Sequence, residues 1–201
     1  MSKDNVLEKV KKLRELTGVG FKDCKIAIDE NDGNIDKSIE FLRKKGIAKA
    51  NKKMERVAAD GLISICEKEN KLSIIEVNSE TDFVAKNEEF IKFVEEISDI
   101  SLLNLGKMDG ILNSKMKNKK KVKDNLIDLI AKIGEKITIR RSDFIDTKNS
   151  VNFSYMHSEI KKNLGKIGVL LSLETSMNKE KLLQFGKQLA MHIAASSPLS
   201  I

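Results

Sequence analysis

Few residues in this 201-residue chain could do chemistry, and the most pointed pair is an acid beside an aromatic. Asp82 and Phe83 sit inside NSETDFVAKNEEF, residues 78–90, where an apolar run ends and a helical pattern begins. Two uses fit such a pair. Thr81 or Asp82 could cap the helix while Phe83 folds back on its first turn as a staple. Alternatively the turn has a specific functional role, as loops carrying binding residues do. The histidines are His157 and His192. His192, among Met191, Ile193 and Ala194 on a helix, reads as a packed or capped residue. His157, after Tyr155 and Met156, reads as an exposed or hydrogen-bonded strand residue. The sequence holds no P-loop, GxSxG, HExxH or GxGxxG. No spacing of carboxylates suggests a metal site and no cofactor is implied. A nucleophile or base, its orienting partner and a pocket do not come together in the pattern, so the chain is expected to act by binding rather than as an enzyme.

Composition narrows the class. The chain is 40% hydrophobic and 33% charged, enough for a core in a soluble, helix-rich protein. No run of eighteen apolar residues is present, and the start, MSKDNVLEKV, lacks an apolar signal core, so a cytoplasmic location and no membrane contact are expected. Cys24 and Cys66 are isolated and expected to be reduced thiols. The net charge of +7 invites a nucleic-acid reading. The arginines, however, are only Arg14, Arg43, Arg56, Arg140 and Arg141, and the lysines are spread over every segment among acids. Arginine makes the forked contacts to phosphate and guanine. No direct nucleic-acid contact is therefore expected, and the densest run, KMKNKKKVK at 115–123, reads as a solvated connection.

The elements that must position these residues follow from periodicity. Val6, Val10, Leu13 and Leu16 predict a first helix, and Phe21, Cys24 and Ile28 a second after the turn TGVG. Asp32, Gly33 and Asn34 punctuate, with Gly33 as C-terminal cap and Asn34 as the next N-cap, and Ile35, Ile39 and Leu42 predict a third helix. This module, residues 1–46, ends at Gly46. Ile47, Ala50, Met54 and Val57 then predict a basic linker helix over 47–59. From Gly61 the period changes: GLISICE and KLSIIEVN around KENK predict a hairpin, followed by a helix with Phe90, Val94 and Ile97 on one face. Residues 105–118 read as loop or short helix. A helix striped by Leu126, Ile130 and Ile133 stops at Gly134, and EKITIRR reads as a half-buried strand.

The remainder echoes that segment. VNFSYMHSEI and IGVLLSLE predict a second hairpin turning at KKNLGK, and KEKLLQFGKQLAMHIA a second helix. A shift of 92 places Phe93 on Phe185 and Ile97 on Leu189. The fold class is accordingly α+β: a three-helix module, a linker helix, a first core half over 60–141 and a related second half over 142–201. The second copy carries ETSMNKEK where the first carries ETDFVAKNEEF. The second copy lacks the Asp-Phe pair; a cap required by the architecture would recur in some form, and only the Thr does, which favours a specific role for Asp82 and Phe83.

The segments LRELTGVGFKDCKIAIDENDGNIDKSIEFLRKKG, VAADG, EVNSETDFVAKNEEF, AKIGEKITIRR, YMH, GKIGVLL and LAMHIAAS, in this order over nearly the whole chain, resemble the elongation factor Ts family of guanine-nucleotide exchange factors. The resemblance implies an N-terminal module like the ubiquitin-associated fold and two related antiparallel core halves. It implies elongation factor Tu as partner, with Asp82 and Phe83, flanked by Thr81 and Val84, wedging between helices of its GTPase domain near the magnesium site. It also implies contacts from Arg14, Phe21, Lys22 and Lys25 around TGVG, from Lys53 in the linker and from His157 in the second hairpin. Lys22 stands where many relatives carry methionine. Relatives built on two core halves continue past AMHIAAS-P into a helical excursion and a C-terminal module, whereas this sequence stops at SSPLSI. It is expected to be either a fragment or a minimal form, with the second half incompletely packed. Two other readings remain open: a basic ribosome- or RNA-associated protein, and a ubiquitin-associated-like recognition module joined to an unrelated core.

Overall fold

A computed structural model describes residues 3–53, 55–147 and 149–198. The fold is α+β, with antiparallel pairing in both of its sheets. The chain divides into two compact units, Met1–Val57 with Asp124–Lys136, and Ala58–Lys123 with Ile137–Ile201.

In the first unit, α1 (Lys3–Thr17), α2 (Phe21–Glu30) and α3 (Ile35–Lys53) enclose Val10, Leu13, Cys24, Ala27, Ile28 and Leu42. Asn34 caps α3 by accepting the Lys37 N–H at 3.0 Å, and Gly33, at φ 76°, returns its N–H to the Ile28 carbonyl at 2.8 Å. Leu16, Phe21 and Ile39 fall on the predicted stripes yet are exposed. Spacing marks the side a helix buries, but not how far along it the neighbouring helices reach.

The helix does not stop at Gly46. It runs through to Lys53, so residues 47–53 continue α3 instead of starting a linker helix, while residues 55–59 are turn, bend and irregular chain and Met54 lies outside the described residues. The glycine answers to packing. A Cβ there would meet the Ala131 Cβ at 3.1 Å, and Ala131 belongs to α7 (Val122–Ile133). The missing side chain lets two helices approach, a demand that looks the same as a helix stop when read from sequence.

In the second unit, β1 (Asp60–Lys68) and β2 (Lys71–Ser79) form the predicted hairpin, with Asp60 opposite Ser79 and Lys68 opposite Lys71. Next come α4 (Asp82–Ala85), α5 (Glu88–Leu103), α6 (Met108–Asn113) and β3 (Ile137–Ile145). β3 pairs with β2 through a bulge, because Glu76 lies opposite Arg141 but Val77 opposite Ile139. The extra residue, Arg140, lets two consecutive arginines reach one carboxylate. Arg140 donates to Glu76 Oε1 at 3.0 Å and Arg141 to Oε2 at 2.6 Å.

β4 (Ser150–His157) and β6 (Ile167–Glu174) pair in a separate two-stranded sheet covered by α8 (Lys179–Ser196). KKNLGK is more than a turn. Its Leu164–Gly165 forms the short strand β5, which pairs with β1 and completes the sheet order β3-β2-β1-β5. The repeat register largely holds, since Val94, Ser98 and Leu102 and their counterparts Gly186, Ala190 and Ala194 are all buried. Phe93 and Phe185 break it: Phe93 is buried, and Phe185 is 56% exposed.

Candidate interaction surfaces

The turn carrying Asp82 and Phe83 is built from both ends. The Ser79 hydroxyl donates to the Thr81 carbonyl at 2.9 Å as β2 finishes. After the single turn of α4, the Lys86 N–H returns to the Phe83 carbonyl at 3.2 Å and the Asn87 N–H to the Val84 carbonyl at 2.9 Å. Asn87 then caps α5, its Oδ1 accepting from the N–H groups of Glu89 at 2.9 Å and Phe90 at 3.2 Å. Val84 and Ala85 are driven into the core and fix the orientation of the turn. Phe83 is left facing solvent at 77% exposure. The staple is therefore excluded, and Thr81 occupies the N-cap position without a side-chain cap bond. Val84, which the resemblance groups with the contact residues, is a packing residue: it is 4% exposed and faces inward.

Asp82 is engaged within its own turn, its Oδ2 2.7 Å from the Lys86 ammonium. The carboxylate holds the Lys86 ammonium above its ordinary range, chiefly through this hydrogen bond. A second, linked set of groups lies where β1 begins. Asp60 accepts the Gly61 N–H at 2.7 Å and forms an ion pair with Lys166, whose ammonium also donates to the Gly61 carbonyl at 3.0 Å. The Lys166 hydrogen bond, then that of Gly61, holds the Asp60 carboxyl below the usual carboxylate range. Asn78 donates to the Asp60 carbonyl at 3.0 Å and to Glu76 Oε1 at 3.1 Å. The backbone N–H of Lys166 reaches the His157 carbonyl at 3.2 Å. Lys166 thus ties the strand behind the Asp82 turn to the end of β4.

His157 is exposed there, and the Tyr155 hydroxyl lies 3.1 Å from its Nδ1. Tyr155 orients that ring, a role the sequence pattern did not single out. Side chains two apart on a strand share a face, which was the available signal. His192 is exposed on α8 and is not a packed residue.

In the helical unit, Gly18 takes φ 64° and donates to the Arg14 carbonyl at 2.7 Å. Behind the turn, Cys24 Sγ donates to the Val19 carbonyl at 3.3 Å, and burial, partly offset by Thr17, pushes its thiol pKa up. The protonated thiol braces the turn from inside. Outside it, Phe21 is 44% exposed as the first residue of α2, with Arg14, Lys22 and Lys25 exposed around it. Lys132 of α7 joins them, because its aliphatic end occupies the space over Gly18. No sequence spacing could place it there. Lys53 lies at the far end of α3 and donates to the Gly134 carbonyl, so its ammonium has a structural partner.

Among the described residues no cluster of His, Cys, Asp or Glu is arranged to hold a metal ion. None of the described helices is long and apolar enough to cross a membrane. Both cysteines are free. What the arrangement offers is an exposed aromatic beside a carboxylate on a braced turn, and an exposed aromatic among cations at a second turn. These are the features of a binding protein.

Comparison with known proteins gives the family. The Elongation factor TS family model matches residues 80–201. Elongation factor Ts of Bartonella tribocorum is 45% identical over 193 residues, covering 96% of this chain and 63% of the relative. That of Rickettsia typhi is 46% identical over 195 residues, covering 96% of this chain and 62% of the relative. The chain belongs to the elongation factor Ts family. It spans about 63% of the length of the curated relatives it matches.

Proposed function

We propose that the chain binds GDP-loaded elongation factor Tu and promotes GDP release, without catalysing a covalent step itself. The supporting observation is Phe83: a benzyl group 77% exposed on a turn whose flanks are buried, capped and hydrogen-bonded. An aromatic carried on a turn that is already fixed requires little further backbone ordering when it enters a pocket and has only two side-chain torsions to lose, which makes it a suitable anchor.

Exchange of this kind is a linkage effect. A factor that binds nucleotide-free partner more tightly than GDP-bound partner must weaken GDP by the same free energy with which GDP weakens the factor. Magnesium tolerates little distortion of its octahedral shell. Insertion of Phe83 between helices of the partner's GTPase domain would shift groups that hold the ion and the phosphates together. Asp82 would enter the same contact by exchanging the Lys86 ammonium for donors of the partner. On this reading Arg14, Phe21, Lys22 and Lys25 form a second grip on that domain, with Lys53 and His157 as further contacts, and the place of action is the cytoplasm, where translation runs. Val84 acts from within by holding the turn.

The test is release of a fluorescent GDP from elongation factor Tu with and without the chain. Acceleration that saturates with the chain supports the proposal. An unchanged release rate despite demonstrated binding contradicts it.

A further inference from the structure

The lysine run at 115–123, a solvated connection between α6 and α7 as its composition predicts, is also an ordered hairpin. Lys115 bridges Lys121, the Met116 N–H donates to the Lys120 carbonyl at 2.9 Å and the Lys119 N–H to the Met116 carbonyl at 2.8 Å. Asn118 Oδ1 accepts the Lys120 N–H at 3.1 Å, and the Val122 N–H returns to the Ser114 carbonyl at 2.9 Å. From α5, the Glu96 carboxylate accepts the Lys117 N–H. The run's two apolar side chains point inward: Val122 is 0% exposed and Met116 8%. All six lysines, at 115, 117, 119, 120, 121 and 123, are exposed.

We infer that this lysine hairpin is a contact surface for the phosphate backbone of RNA. The run holds no arginine, so forked contacts to phosphate or guanine are not expected from it, but its lysine is not dispersed: six lysines stand on nine consecutive residues that the fold holds in one shape. The choice between RNA and an acidic protein rests on what the hairpin lacks. Protein interfaces are anchored by aromatic, apolar or arginine side chains in desolvated pockets and are depleted in lysine. This surface presents no such anchor, since Met116 and Val122 are spent on the core. Lysine acts as a hydrated point charge and gains most from a ligand of high charge density that releases counterions on contact. A phosphate chain is such a ligand, and binding is expected to be insensitive to base sequence because nothing on the hairpin reads a base edge.

The experiment measures binding of a fluorescein-labelled 20-nucleotide oligouridylate by anisotropy over a salt series, with four proteins. They are the unaltered chain, Lys115→Gln/Lys117→Gln/Lys119→Gln, the corresponding triple Lys→Arg variant, and a charge-matched control, Lys11→Gln/Lys12→Gln/Lys37→Gln. A single-stranded phosphate contact contributes about 0.7 to the log–log salt slope, so the hairpin Gln variant should lose roughly 2 from the slope and at least tenfold in affinity at low salt. The Arg variant should bind as the unaltered chain does, and the control should keep its slope. GDP release promoted by the hairpin Gln variant should be unchanged, since none of these residues belongs to the surfaces assigned to exchange. Equal loss in the control would make the effect one of net charge and overturn the assignment. Absence of salt-dependent binding, or equally tight binding of a polyglutamate of matched charge, would overturn it too.

Discussion

The ammonium of Lys86 lies 2.7 Å from Asp82 Oδ2, one helical turn along the chain and beside the exposed ring of Phe83. The carboxylate assigned to a partner is therefore already paired in the isolated protein, and the pair is open to water. Exposed pairs at this spacing contribute little to stability, so they are easily exchanged for other donors. Lys86→Met is expected to leave the thermal melt unchanged and to alter GDP release by less than about threefold. Asp82→Ala should slow release. Adding Lys86→Met to Asp82→Ala should then change nothing further, because the lysine acts only through that carboxylate. An additional loss in the double variant would show that Lys86 meets the partner on its own.

Glu76 sets a pH dependence. Burial raises the pKa of its carboxyl, but hydrogen bonds from Arg141, Asn78 and Arg140 outweigh that and hold it below the usual carboxylate range. A group depressed in the folded state contributes stability above its unfolded value, near 4.3, and loses it as pH falls through the folded value. Urea midpoints of the unaltered chain should therefore fall between about pH 5 and about pH 3. Glu76→Gln should have a lower midpoint at pH 7, because the two guanidinium groups lose the carboxylate charge and one of its two acceptor oxygens, and a shallower fall across the acid window. Parallel curves for the two proteins would contradict this role.

The second hairpin and its helix meet at Gly186. A Cβ there would lie 2.5–2.6 Å from Cδ2, Cε2 and Cγ of Phe153, whose ring is buried between strand and helix. Cγ cannot swing away without displacing the whole side chain. Gly→Ala inside a helix otherwise gains about 1 kcal/mol, so the substitution sets propensity against overpacking, which costs about 1–3 kcal/mol. Overpacking should win, with Gly186→Ala lowering the melting temperature. Hydrogen exchange should also be faster over residues 150–198 than over 60–140, because a two-stranded sheet under one helix leaves Leu183, Phe185 and Met191 exposed. A stabilised Gly186→Ala protein would mean that the layer is loose enough to absorb a methyl group.

The sequence made periodic elements legible because burial on one face is what writes a period. Both hairpins, the helix after each and the strand EKITIRR follow from short apolar runs about turns, alternation and 3.6-residue spacing. Legibility ended wherever a contact joined segments distant in the chain. Gly46 read as a stop because nothing local reveals that Ala131 needs its space. Leu164–Gly165 read as a turn because its partner strand is some hundred residues earlier, where Leu164 pairs with Ser64. The bulge that brings Arg140 and Arg141 to one carboxylate, and the placement of Lys132 over Gly18, are invisible for the same reason. Asp82 and Phe83 stood out through the mismatch between the two halves of the repeat. Their neighbour Val84, which the resemblance groups with them, is buried, because successive residues of a helical turn point in different directions.

The central claim concerns Phe83, and one paired measurement tests it: a thermal melt beside a stopped-flow trace of fluorescent GDP leaving elongation factor Tu, for the unaltered chain and Phe83→Ala. With its ring 77% exposed, Phe83 contributes little to the fold, so the two melts should coincide. Loss of an interface anchor costs on the order of 2 kcal/mol, so release at saturating factor should slow by roughly thirtyfold. A Phe83→Ala protein that melts earlier yet releases GDP at the normal saturated rate would contradict the account.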